Sequence, residues 1–205
     1  MYSIETILFS TYISHLSLFW YYSIMWYFLS KKIYDTERSI DVAKYTLHIQ
    51  TTILPYMSYI FYRFYRKYDI MNYPEYTLYE LYQWCFMFLW TDFMTYHIHI
   101  LLHHPYCYKI HKLHHSWKYP VPWGSLYSSY TENIILNFLP VFTAPLIIEL
   151  NIYYVYIWFM LATFTALYSH SFDSSLVHLI HHKYGRYNYG VTTFFDRLYN
   201  TYRLK

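Results

Sequence analysis

His111-Lys-Leu-His-His115 is one of three short histidine clusters that decide how this chain folds. The others are His99-Ile-Leu-Leu-His103 before it and His178-Leu-Ile-His-His182 after it. Helix residues three and four positions apart share a face, so each cluster is predicted to aim two or three imidazoles at one point. Histidine makes up 13 of 205 residues. At that frequency an HxxHH string arises by chance roughly 0.05 times in such a chain, so two copies indicate a site.

The clusters predict a pair of metal ions. Imidazole is a ligand for iron, zinc, copper and nickel, and eight imidazoles are too many for one ion. The predicted ligands are the cluster histidines: His99, His103, His111, His114, His115, His178, His181 and His182. Metal-bound histidines usually donate their other N–H to a carboxylate or a carbonyl. Asp92, two helical turns before His99, is the first candidate for that partner, and Asp173, Glu132 and Asp196 are lesser candidates.

The composition indicates a membrane protein. The chain is 56% hydrophobic and 13% charged, whereas soluble domains carry about 25% charged residues. A helix needs about 20 apolar residues to cross the hydrocarbon. The last of the apolar regions is long enough for two short passes that join near Glu149–Asn151. The regions are Ile7–Leu29, Tyr45–Tyr62, Leu78–Tyr96 and Ile134–Tyr168.

The predicted fold is an all-α integral membrane bundle of four to five spans with a histidine-rich helical cap. The third cluster follows the Ile134–Tyr168 region, so this region must return to the face that it left if the ligands are to meet. Lysines and arginines lie beside the clusters, and positive loops stay cytosolic. The cap is therefore expected on the cytosolic face. Cys85 and Cys107 make a poor disulfide pair, which fits a reduced compartment.

Other function classes find little support in the sequence. We find no hydrolase elbow, phosphate loop or CxxC motif. The net charge is only +3, and the aromatic residues lie mainly in the apolar regions, so no nucleic-acid partner is predicted.

The segment Asp92-Phe-Met-Thr-Tyr-His-Ile-His-Ile-Leu-Leu-His-His-Pro105, with the second cluster, resembles the fatty acid hydroxylase superfamily. That superfamily includes sterol desaturases, sterol methyl oxidases and fatty acid hydroxylases. The resemblance continues through Asn137–Pro140, the third cluster, Asn188-Tyr-Gly190 and Phe195–Tyr202. We expect one membrane domain over 1–205, with N-terminal spanning helices over 1–77 and a catalytic region over 78–205.

The resemblance implies a non-haem di-iron oxygenase that hydroxylates or desaturates a sterol or a fatty acyl chain. Its cofactors would be two iron ions, which zinc can replace on purification, together with O2. Electrons would come from NAD(P)H through a separate reductase, with cytochrome b5 or that reductase as a partner. The location implied is the endoplasmic reticulum membrane. Two alternatives stay open: an inactive relative that holds metal without catalysis, and a metal transporter.

Further histidines are assigned partly by this resemblance. His170, in a Tyr-Ser-His-Ser context, is a ninth candidate ligand. His97 and His104 flank the first pair, and His104 is left out because it is adjacent to His103 and turned about 100° from it around the helix. His15 and His48 are interpreted as polar residues satisfied by neighbours. Two roles are open for Tyr96 and Asn188, contact with a ligand histidine and packing, and packing is favoured for each.

The sequence departs from the sterol-acting members at two places. Ser129-Tyr-Thr-Glu132 stands where those members usually have His-Pro-x-x-Glu, so the glutamate is kept and the histidine is not. The loop from His170 to His178 is also short, which leaves the identity of the lipid open.

Overall fold

The chain folds into helices in a computed structural model that describes residues 4–29, 36–65, 78–117, 121–148, 150–171 and 176–204. No strand occurs within these ranges, which confirms the all-α prediction. Glu149 and Asp173 lie outside the described residues. The α-helices are α1 (Ile4–Leu29), α2 (Thr36–Tyr65), α3 (Leu78–Leu102), α4 (Tyr108–His111), α5 (Tyr130–Glu132), α6 (Leu139–Ile147), α7 (Ile152–Ser169), α8 (Leu176–Tyr184) and α9 (Phe194–Leu198). Short 3₁₀ turns cover His114–Ser116 and Pro122–Leu126, and a π-helical turn covers Asn133–Phe138.

Three helices exceed the length of a membrane span. α1, α2 and α3 contain 26, 30 and 25 residues, and at 1.5 Å per residue each is longer than the roughly 30 Å of a bilayer core. Among the described helices, only Leu78–Leu102 is both long and apolar enough to qualify as a span, and Tyr154–Ser169 is apolar but shorter. The four to five spans and the cytosolic orientation therefore stay predictions.

The long apolar region near the middle of the chain divides into two helices, α6 and α7. The break follows Ile147, where the sequence predicted a hairpin turn, and the Leu150 N–H donates to the carbonyl of Pro145 at 3.1 Å. α6 packs on α3, and α7 packs on α1. Met87, Ala144 and Val155 are buried between α3, α6 and α7. This arrangement returns the chain to the end of α3, where the first cluster lies.

A second core holds the segment after the second cluster against α2. The Trp123 indole N–H donates to the carbonyl of Ser39 at 3.0 Å, and the Thr46 hydroxyl donates to the carbonyl of Trp123 at 2.8 Å. Phe19 and Leu167 are buried in the same core, so α1 and α7 are joined to it. The position of the second cluster is thus fixed by packing on both sides of the bundle.

Candidate metal centre

Nine histidines converge into two adjacent groups. Within each group, one nitrogen of every ring lies within 4.8 Å of the others. The structure thus brings together all eight cluster histidines and His170, and their binding of metal stays a prediction. The first group is His99, His103, His111, His115 and His181; the second is His114, His170, His178 and His182. The rings of His115 and His182, one from each group, have centroids 4.9 Å apart, so the two groups are neighbours.

Each HxxHH motif aims two imidazoles rather than three at one point, within the two or three that the spacing predicts. Residues four positions apart stay together, but the middle histidine of each motif joins the opposite group. On α8, His181 leaves His178 and His182, because consecutive residues are turned by about 100° around a helix. His114 diverges for a further reason: α4 ends at His111, and a separate 3₁₀ turn begins at His114.

Backbone carbonyls fix the tautomers of three rings. The Nδ1 atoms of His99, His181 and His170 lie 2.8 Å from the carbonyl oxygens of Tyr189, Tyr187 and Ala166, respectively. A carbonyl only accepts hydrogen bonds, so each Nδ1 carries the hydrogen. In the neutral ring the Nε2 atom then carries no hydrogen, and its free lone pair can bind a metal. The sequence could not reveal these partners, because every residue has a carbonyl.

The spacing of the Nε2 atoms suits metal coordination. These atoms are 3.1 Å apart in the pair His99 and His111, and 3.0 Å apart in the pair His115 and His181. In the second group the His114 and His170 atoms are 3.4 Å apart. A metal with bonds of about 2.0–2.1 Å places neighbouring ligands roughly 3.0 Å apart at right angles and roughly 3.4 Å apart in a tetrahedron. The donor set therefore fits two transition-metal ions.

Burial keeps the imidazoles neutral. Loss of hydration lowers the pKa of His103 and of His170 to about 4, and that of His115 to about 3. Burial, together with the neighbouring histidines, also holds the pKa of His114 and of His182 well below the usual value. At neutral pH these rings need lose no proton before binding a cation.

Glu132 is the carboxylate that contacts a predicted ligand. Its Oε1 lies 2.7 Å from Nδ1 of His111, and both side chains are almost fully buried. The Glu132 backbone N–H donates to the Ser129 hydroxyl, which fixes the start of α5. Burial raises the pKa of Glu132 to about 9 and lowers that of His111. Without a cation, the pair is therefore held as a neutral acid and a neutral imidazole.

The role predicted for Asp92 needs correction, because its carboxylate bonds a loop rather than a histidine. Asp92 accepts the backbone N–H groups of Val191 and Thr192 at 2.6 and 2.9 Å, and the Thr192 hydroxyl at 2.6 Å. Seven residues separate Asp92 from His99, about 10 Å along α3, which is too far for a direct hydrogen bond. Asp92 instead fixes the loop next to Tyr189, whose carbonyl orients His99.

Asp196, another of the candidates, also holds this loop by hydrogen bonds. Its carboxylate accepts the backbone N–H groups of Tyr189 and Gly190, both at 2.8 Å. A Cβ added at Gly190 would lie 2.7 Å from Oδ1 of Asp92 and 3.1 Å from Oδ2 of Asp196. The two buried carboxylates can approach the backbone this closely only because position 190 has no side chain.

The remaining assignments agree with structural roles. Asn188, at a φ of +59°, donates through its side chain to the carbonyls of Val177 and Arg203 and thereby joins α8 to the C-terminal segment. The buried Tyr96 accepts the Thr201 hydroxyl at 3.2 Å.

The other histidines of the sequence argument lie outside the two groups. His97 bonds the carbonyl of Phe93, and His104 is exposed beside Tyr106. His48 bonds Tyr130. His15 bonds Thr163, so both lone histidines have polar neighbours, as expected.

A cavity of about 1000 Å³ opens beside the histidines. Its lining comes largely from apolar side chains of α1, α2, α3, α6 and α7, among them Phe61, Phe88 and Trp158. Histidines of both groups also line it: His99, His114, His170 and His178. A long apolar ligand in this space would lie against the candidate metal centre.

Comparison with known proteins gives one consistent set of matches. The sequence profile described as fatty acid hydroxylase matches residues 84–201, more than half of the chain. Human fatty acid hydroxylase domain-containing protein 2 is 36% identical over 117 residues, covering 54% of this chain and 35% of its own length. The Leptosphaeria maculans Delta(7)-sterol 5(6)-desaturase is 35% identical over 130 residues, covering 58% and 36%.

A third relative extends the range of activities among the matches. The Mycosarcoma maydis fatty acid hydroxylase ahd1 is 32% identical over 126 residues, covering 58% of this chain and 33% of its own length. This chain therefore spans about a third of the length of these curated relatives. No solved structure matches.

Proposed function

Because the chain belongs to the fatty acid hydroxylase family, we propose that it is a membrane-bound oxidoreductase that hydroxylates or desaturates a lipid. The substrate class is a sterol or a fatty acyl chain. The observation that carries the proposal is the contact between two histidine groups and one large apolar cavity. A metal store needs no such cavity, whereas an enzyme acting on a lipid needs reactive groups beside a long apolar ligand.

The proposed cofactors are two iron ions, one in each histidine group, which zinc can replace on purification. When bound, they supply O2 activation for attack on an unreactive C–H bond, with electrons from NAD(P)H through a separate reductase or cytochrome b5. Hydrogen bonds to neighbouring groups orient the histidine rings that would bind these ions. The Tyr189 carbonyl keeps Nε2 of His99 unprotonated, and Glu132 is placed to do the same for His111.

The apolar lining of the cavity provides the surface that binds the lipid. Aromatic side chains such as Phe61, Phe88 and Trp158 exclude water and give a lipid a continuous contact surface. The lipid can then enter without passing through bulk water, since exposed apolar residues cover the outer faces of the long helices. Phe28 is 79% exposed and Leu101 is 57% exposed, which suits contact with hydrocarbon rather than water.

We propose that residues 1–77 supply spanning helices and residues 78–205 the catalytic region. The proposed location is the endoplasmic reticulum membrane with the histidine groups on the cytosolic side, where a separate reductase can reach them. Support for a membrane location comes from the apolar helix Leu78–Leu102 and the exposed apolar surface. The basic residues Lys109, Lys112 and Lys183 beside the clusters support the orientation.

Lipid mass spectrometry of cells with and without the chain tests the proposal. We expect a new hydroxylated or desaturated lipid that requires O2. His103→Ala should abolish that product, because the ring belongs to the first group. His104→Ala is the matched control, since the adjacent ring is exposed and outside both groups. An unchanged lipid profile with metal bound would instead favour the inactive relative, and metal flux in vesicles would favour the transporter.

A further inference from the structure

A polar pair lies inside the apolar cavity, away from the nine grouped histidines. Nδ1 of His15, on α1, lies 3.3 Å from the hydroxyl oxygen of Thr163, on α7. Both residues line the cavity, together with apolar neighbours such as Leu18, Phe159 and Ala162. His15 precedes all three ligand clusters and lies outside the region matched by the family profile. Thr163 belongs to none of the clusters. The proposed metal chemistry therefore leaves the pair without a role.

The hydrogen-bond directions leave Nε2 of His15 as a hydrogen-bond acceptor. The Thr163 hydroxyl donates to the Phe159 carbonyl at 2.8 Å, which uses its one hydrogen. The longer contact to His15 is then one in which Nδ1–H donates to the Thr163 oxygen. The neutral imidazole has only one hydrogen on its ring nitrogens, so Nε2 is an unprotonated acceptor. A ligand that satisfies Nε2 must donate a hydrogen bond.

The charge of the lining narrows the ligand further. Among the described residues that line the cavity there is neither lysine nor arginine, while Asp92 and Glu132 are present. A carboxylate or phosphate group buried beside His15 would have no lysine or arginine among these residues to pair with, which is costly in an apolar site. A neutral hydroxyl both fits the charge and donates the hydrogen bond that His15 can accept.

We propose that His15, held by Thr163, recognises the hydroxyl group of the lipid substrate. The proposal rests on the proposed function only in taking this cavity as the lipid site. The hydroxyl is that of a sterol or of a linear long-chain alcohol, since both offer the same donor. Ketones, esters and carboxylates lack the donor and are disfavoured.

The position of Thr163 also sets the reach of the bound lipid. Phe159, Thr163 and Ala166 line the cavity at helical spacing on α7, and His170, directly after that helix, lines it as well. Thr163 and His170 are seven residues apart, about 10 Å along the helix axis. A lipid anchored at His15 therefore presents to the histidines a carbon about 10 Å from its hydroxyl, rather than one beside it.

Competitive lipid binding, read by native mass spectrometry of the purified full-length chain in detergent, tests the proposal. The probes are two pairs matched in size: cholestanol against cholestan-3-one, and octadecan-2-ol against octadecan-2-one. We expect the alcohol of at least one pair to be preferred on the order of tenfold, as one buried hydrogen bond allows. The pair that shows the preference identifies the source of the hydroxyl.

Variants connect the preference to the residues. His15→Leu should abolish the preference for the alcohol while the ketones still bind. Thr163→Val should weaken this preference, because the His15 ring loses the hydrogen bond that orients it. His48→Leu is the matched control, a lone histidine on α2 outside the cavity lining, and should keep the full preference. If His15→Leu does not fold, the Thr163→Val variant alone tests whether the preference depends on this pair.

No preference in either pair for the wild-type chain would overturn the proposal, as would a preference that survives both substitutions. The readout is independent of turnover and of bound metal. A chain that binds alcohols selectively but oxidises no lipid would thus refute the proposed function and retain this inference.

Discussion

Replacing Gly190 by alanine should disturb the candidate metal centre from a distance. The added Cβ would lie 2.7 Å from Oδ1 of Asp92, a contact that real Cβ atoms essentially never make. Asp92 is fully buried and holds Val191 and Thr192 through three hydrogen bonds, so its carboxylate has little room to retreat.

The magnitude follows from those bonds. A hydrogen bond to a charged group contributes about 1.5–3 kcal/mol, and relief of the clash at Gly190 must weaken one or two of them. We expect Gly190→Ala to lower the free energy of unfolding by about 2–4 kcal/mol. The neighbouring Tyr189 carbonyl orients His99, so metal affinity should also fall by about tenfold or more, as for other groups that orient a ligand.

The assay is thermal unfolding in detergent, with and without added iron, followed by a metal titration of the folded protein. Val191→Ala is the matched control, because Val191 follows Gly190, its side chain is 44% exposed, and its hydrogen bond to Asp92 comes from the backbone N–H that alanine keeps. A Gly190→Ala protein as stable as the wild type, with unchanged metal affinity, would refute the close approach of Asp92 and the proposed coupling to His99.

Three other predictions follow from the buried groups. Glu132→Gln should lower metal affinity about 10- to 100-fold while the fold is kept, because the carboxylate partner of His111 is lost. A metal titration of the purified variant measures this affinity, and a value equal to that of the wild type would contradict the prediction. The metal-free Glu132→Gln variant, which lacks the carboxyl whose raised pKa gives the opposite slope, should keep full stability above pH 6.5 and lose it progressively toward pH 4. Burial lowers the pKa of His103 and His170 from 6.5 to about 4, so in this window the unfolded chain binds protons that the folded chain does not. Thermal unfolding from pH 8 to pH 4 tests this, and a flat profile would count against neutral buried rings. Asn188→Ala should destabilise the chain by about 1–3 kcal/mol, since it removes a residue that tolerates positive φ and its hydrogen bonds to two carbonyls; loss of less than 0.5 kcal/mol in the same assay would contradict it.

The histidine spacing was sufficient to predict which rings meet, but not how the rings divide between the two groups. Shared helix faces explain why His178 and His182 stay together. The same rule fails for His114, because the chain leaves the α-helical path between His111 and His114, and no residue type in Lys112–Leu113 signals that change.

Partner assignments were harder to predict for a physical reason. Asp92 lies on the correct face of α3, yet two helical turns from His99 are too far for contact. Glu132, twenty-one residues beyond His111, meets it only after the chain has folded back. The carbonyls of Tyr187 and Tyr189 have no sequence signature, and the pairing of His15 with Thr163 depends on tertiary packing across 148 residues.

Counting metal ions in variants of α8 tests the central claim most directly. Native mass spectrometry of the full-length chain loaded with ferrous iron should find two ions per chain. The double variant His178→Ala/His182→Ala removes both α8 ligands of the second group and should leave one ion. His181→Ala leaves four imidazoles in the first group and should retain two ions. A wild-type chain that binds one ion or none, or a double variant that retains two ions or loses both, would contradict the division of nine histidines into two metal sites.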